Sequence, residues 1–202
     1  MILTHLNKRP KIDRSAYVAP TATICGDVEI GPACRIMFGA CVISEGAPLR
    51  LGARCIVMEN AVIRSTNRHQ AKIGSNCLIG PHAHLVGCLL EDAVFVATGA
   101  TILHGAHLSV GSEVQVNGVV HICTRIAPHA TLPIGWVAVG DPARFFPPDQ
   151  HDAIWAVQEP LNFPDFVYGV PRGPQGRNDM PEIARKRAAA LASHATDRIV
   201  GK

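Results

Sequence analysis

Aromatic residues make up only 5% of the 202-residue chain. Charged residues are also sparse at 17%, and they nearly balance at a formal net charge of +3. Nucleic-acid surfaces combine basic runs with stacking rings. Neither is present, which argues against a nucleic-acid partner. No apolar run is long enough to cross a bilayer, so no membrane association is expected. Met1 to Arg14 holds no apolar stretch of the length a secretory signal needs, so the expected compartment is the cytoplasm. No CxxC pair occurs, which counts against a thiolate zinc site. The seven cysteines are odd in number and fall between Cys25 and Cys123. That pattern reads as packed, reduced thiols and not as a disulfide framework.

What the chain does have is a short repeat. From Tyr17 to Val139 an aliphatic residue recurs about every six positions, often followed by Gly and turn formers, as in Ile30-Gly-Pro-Ala-Cys-Arg35 and Ile73-Gly-Ser-Asn-Cys-Leu78. The ladder runs Val18, Ile24, Ile30, Ile36 and Val42, then Leu51, Val57 and Ile63, then Ile73, Ile79 and Leu85. It continues at Leu90, Val96 and Ile102 and is expected to close on Val110, Val116 and Ile122. A unit this short supplies one strand and one turn. Stacked units form a solenoid with one apolar column inside. Cys34, Ala40, Cys55, Ala61, Cys77, Ala83, Cys88, Val94 and Ala100 fall two places before an aliphatic, where a large side chain would crowd the corner.

This repeat resembles the hexapeptide-repeat proteins. The resemblance covers roughly Lys8 to Pro148 and implies a left-handed parallel β-helix of triangular section, mainly β, assembled as a homotrimer. The expected organisation is an N-terminal lead-in over 1–15, the β-helix over 16–146 and a C-terminal helical and strap extension over 147–202. Two loops break the period, Ser44–Arg50 and Arg64–Lys72. Loops leaving a rigid scaffold are frequent sites of function. In the extension, a short helix is expected after Pro147 through Gln158 and an extended strap over Pro160 to Gly176. A second helix should run from Pro181 to about His194. Asp179 should cap it, Ala184, Ala188, Leu191 and Ala195 should face inward, and Arg185, Lys186 and Arg187 should point out.

Within the superfamily the closest resemblance is to the γ-class carbonic anhydrases. It rests on Leu51-Gly-Ala-Arg-Cys-Ile-Val-Met-Glu-Asn-Ala-Val-Ile63 and on Ile73 through Cys88. In that family three histidines from two adjacent subunits hold zinc or iron, and the metal activates water. Laid over this chain, the three histidine positions fall on Arg64, Pro81 and Val86. All three are replaced, which implies that the family's metal site and its hydratase mechanism are absent. Arg54 keeps the family pattern, and Glu59 keeps acidic character beside Met58, which stands where the family has a polar amide.

A replacement site is expected in an inter-subunit cleft. Candidate catalytic residues are His82, His84, Arg64 and Glu59, with Arg64, Arg54 and Glu45 as substrate contacts. Either His69, His82 and His84 hold a displaced zinc or iron, or Arg64 contacts an anionic or acyl small molecule while a histidine acts as base. His104, His107, His121 and His129 read as outer-face or turn residues. A second class is CoA-dependent acyl transfer, with acetyl-CoA as substrate, Ser109, Asn117 and Thr124 in the groove, and Trp136 or Arg144 at the adenine end. A third class is a non-catalytic trimeric scaffold or binding module.

Overall fold

A computed structural model of the chain describes residues 1–174 and 178–200. Its short strands stack into three parallel sheets, one of ten strands and two of seven. Successive strands in the sequence visit the three sheets in turn, so each circuit adds one rung to each face. The result is a parallel β-helix of about eight turns closed by C-terminal helices. Hydrogen bonds between rungs hold the backbone, as where Val62, Ile63 and Arg64 lie in register with His84, Leu85 and Val86. Side chains alternate across each strand, so every second residue enters the prism.

Ile24, Ile36, Ile63, Ile79, Leu85 and Ile102 are fully buried in one continuous core. The small residues sit beside them as the spacing predicts, with Cys34, Ala40, Cys55, Ala61, Ala83 and Ala100 at 0% exposure. All seven cysteines are free. Several form a ladder between rungs: the Cys34 thiol donates to the Gly52 carbonyl (3.0 Å) and the Cys55 thiol to that of Gly74 (2.9 Å).

The expected end of the aliphatic ladder lies two residues off the core column, although Ile122 is itself wholly buried. Val110 and Val116 are 38% and 37% exposed, whereas Leu108, Val114, Val120, Ile126 and Leu132 are wholly buried. The step of six that starts at Leu90 simply continues through Ile102 to Leu132. Val110 follows the strand His107–Leu108 and lies in a turn. The Val-Gly pair at 110–111 imitates the Ile-Gly signal of earlier coils but belongs to the corner.

The lead-in already belongs to the stack. Ile2–Thr4 pairs in parallel with Thr23–Cys25, and its other edge takes Arg198–Ile199 in antiparallel. Helix α1 spans His151–Gln158, and its Ile154 packs on Val139 and Phe146. The expected strap is interrupted by a second helix, α2, at Phe163–Tyr168. The αL residues Asn162 and Gly169 bracket α2. The strap's last residues, 175–176, lie outside the described residues. Helix α3 spans Met180–Leu191. Asp179 occupies its N-cap position without a side-chain cap; its Oδ2 instead accepts from the Gly173 N–H at 3.0 Å.

The facing of α3 also differs from expectation. Ala184, Ala188, Leu191 and Ala195 are exposed, and Ile183 is the residue that buries. Lys186 reaches the Gly169 carbonyl at 2.6 Å, and Arg187 reaches Glu45. The helix docks through its polar side because the surface beneath offers a buried carboxylate and a free carbonyl.

Candidate functional site

The centre of the site is a pair of adjacent rungs of the longest sheet. The strand Val62–Ser65 aligns Arg64 with Val86 of the strand His84–Val86, so two of the three positions where the resemblance expects histidine are direct neighbours. Neither residue offers a metal-donor atom. A guanidinium carries donors only, and Val86 is aliphatic and 6% exposed. Pro81, the third position, has no donor side chain either. The residues present therefore do not fit the family's three-histidine metal.

They form instead a cleft of about 150 Å³. Arg64, Thr66, His84, Val86 and His104 line its floor, and Val167, Tyr168 and Arg187 roof it from α2 and α3. Glu45, 8% exposed, sits behind it and ion-pairs with both Arg64 and Arg187, the latter at 3.3 Å. One carboxylate thus faces two guanidiniums, which leaves one positive charge over. Burial lowers the Arg64 pKa, and Arg187 adds to the shift. Arg64 Nε and His104 Nδ1 are buried with no hydrogen-bond partner among the described residues.

Burial disfavours protonation of both histidines of the cleft. Burial pulls His104 down to about 4, reinforced by the positive fields of His69, Arg187, Arg64 and His84. Burial also lowers His84, with Arg64 contributing. Low pKa values of this origin are common in sites that bind or transfer charge. His69 stands beside His104, ring centroids 5.4 Å apart and edge to face, and packs on Phe166 of α2 at 4.7 Å. Gly87 makes this packing feasible. Its φ is +54°, and a Cβ there would lie 2.5 Å from the His69 Cβ.

The other sequence candidates lie elsewhere. His82 occupies the left-handed corner position with φ +58°, and its N–H donates to the Glu59 carbonyl. Asn60 and Gly99 hold the same corner on neighbouring rungs, so the position reflects turn geometry. Arg54 lies at another corner and donates through Nε to Asn76 Oδ1 at 2.7 Å. Neither His82, Glu59 nor Arg54 lines the cleft. The structure does not bring His69, His82 and His84 to a common point within one chain. His82 is exposed at a corner, while His69 packs against Phe166. Ser109 and Thr124, expected in an acyl-CoA groove, are 3% and 0% exposed and so are unavailable to a ligand in this chain.

Sequence reasoning missed His104, Arg187 and Tyr168. His104 and His121 do sit on the outer face, but α2 covers them and leaves each 8% exposed. Phe166 packs near the Gly105 corner and Phe163 near His121 at 6.0 Å. The available signal was the cluster Phe163, Phe166 and Tyr168 in a chain with so few aromatics.

No protein-family model matches the chain. "Gamma carbonic anhydrase 1, mitochondrial" of Arabidopsis thaliana is 31% identical over 150 residues, 71% of this chain and 52% of the relative. The chain thus spans about half the length of that curated relative. A putative acetyltransferase from Bacillus cereus superposes with a TM-score of 0.54 at 21% identity, covering 81% of this chain and 94% of its own. A hexapeptide transferase family protein from Anaplasma phagocytophilum gives 0.52 at 22% identity, covering 93% and 97%. The chain belongs to the hexapeptide-repeat superfamily, near its γ-class carbonic anhydrase branch. The solved hexapeptide-repeat structures, at such low identity, establish the left-handed β-helix alone. Among the described residues no helix is long and apolar enough to cross a membrane.

Proposed function

We propose that this protein is a divergent member of the γ-carbonic-anhydrase-like branch that does not hydrate carbon dioxide by the family's metal route. Its cleft binds a small carboxylate- or carbonate-like anion. One observation carries the reading: Arg64 keeps a buried Nε without a partner among the described residues, beside a second guanidinium, and Glu45 is the carboxylate that pairs with both. Buried donors without partners are costly, and an anion of a few heavy atoms suits a cleft of about 150 Å³. Arg64 and Arg187 would fix the anion, and neutral His84 or His104 would accept a proton from a bound acid or water.

The branch resemblance supports a homotrimer, and the cytoplasm remains the proposed compartment. The subunit contact is assigned to the outer column Ile56, Leu78 and Phe95, which are aligned on successive rungs. Val86 is not part of that contact, because it is covered by its own chain.

The test is a stopped-flow carbon dioxide hydration assay on protein supplied with zinc or ferrous iron, beside anion titration of the same sample. The expected result is saturable anion binding with no hydration above buffer. Hydration that a chelator abolishes would overturn the proposal.

A further inference from the structure

We propose a second site, for a divalent transition metal of the zinc class, where the two ends of the chain meet. His5 Nδ1 lies 2.6 Å from Asp197 Oδ1, and His194 Nδ1 lies 2.8 Å from Asp197 Oδ2. One donor atom from each of the three side chains falls within 4.8 Å of the others. Cys25 Sγ approaches Asp197 Oδ2 at 3.6 Å and supplies a fourth donor. Two imidazoles, a carboxylate and a thiolate suit zinc, which takes four ligands of this kind in structural sites.

The site is built into the backbone. His5 exchanges two main-chain hydrogen bonds with Lys8, at 3.0 and 2.9 Å, which fix its backbone. It is 2% exposed, and its Nε2 is buried without a partner among the described residues. Leu3 pairs in register with Cys25 on one side and with Ile199 on the other, so three distant segments converge. The His5 and His194 rings stack at 4.2 Å. Asp197 presents one carboxylate oxygen to each ring.

Binding would need little motion. Each imidazole exchanges its Nδ1 proton for one on Nε2 and presents the Nδ1 lone pair to the metal. Cys25 loses its thiol proton, so one proton is released to solvent per metal bound. The bound ion would clamp the segment after α3 onto the first coil, and hence steady Arg187 over the cleft.

The experiment is titration of metal-free, full-length protein with Zn²⁺ and Co²⁺, following stoichiometry by calorimetry and the visible and charge-transfer bands of Co²⁺. One metal per chain is expected, with a thiolate-to-cobalt band lost in Cys25→Ser. His194→Ala and Asp197→Asn, both partly exposed positions, should weaken binding by more than the roughly 10–100-fold that loss of a supporting contact costs. Arg64→Gln should leave it unchanged, which separates this site from the cleft. Absence of stoichiometric binding to the folded wild type, or binding that His194→Ala and Asp197→Asn leave intact, would overturn the proposal.

Discussion

The guanidinium of Arg187 lies 3.3 Å from Glu45 Oε2, a residue 142 positions earlier in the chain. This contact ties the C-terminal helix to the solenoid at the edge of the cleft. Glu45 is buried and serves two arginines, whereas Arg187 is about one-third exposed. Removing the carboxylate leaves two like charges facing each other. Glu45→Ala should therefore cost about 3 kcal/mol, and Arg187→Ala about 1 kcal/mol, measured by urea unfolding. Arg64→Gln in the Glu45→Ala background should recover part of the loss. Equal, small effects for both single variants would mean that the pair is solvated.

Acid should destabilise the protein through its covered histidines. Burial lowers both His104 and His121 to about 4, against about 6.5 in the unfolded chain. Between those values the unfolded state binds more protons, so stability is full above pH 6.5 and falls as pH drops towards 4. Each residue should account for about 2 kcal/mol between pH 7 and pH 5. For His104 the surrounding His69, His84, Arg64 and Arg187 all oppose protonation. His121→Leu should flatten the profile by its share; an unchanged slope would show that His121 is solvated.

The corrected register gives a direct comparison. Leu108→Ala should cost about 2–5 kcal/mol, while Val110→Ala, at an exposed corner, should stay within about 0.5 kcal/mol. The order would be reversed if the ladder ran through Val110.

Most of the solenoid was legible because its period is a local property. One aliphatic every six residues and one small residue beside it are enough to build the column from Val18 to Leu85. The error at Val110 arose because a Gly-containing corner on one rung resembles a strand start on another. The site was only partly legible. The Arg64–Val86 pairing follows from the repeat, as does the loss of the metal donors. His104, Arg187 and Tyr168 enter the site only through the docking of α2 and α3, which depends on contacts between distant segments. His5, His194 and Asp197 meet for the same reason, and no spacing in the sequence connects them.

Assembly provides another check. The outer column of Ile56, Leu78 and Phe95 is apolar and aligned. Light scattering at micromolar concentration should give the mass of three chains, and Phe95→Glu should reduce it to one. A monomeric wild type would remove the subunit contact from the account.

The most direct measurement is calorimetric titration of metal-free protein with acetate or bicarbonate, beside Arg64→Gln. Saturable one-to-one binding is expected, weakened about 10–100-fold in the variant, since a hydrogen bond to a charged group contributes about 1.5–3 kcal/mol. No saturable binding, or equal affinity in both proteins, would contradict it.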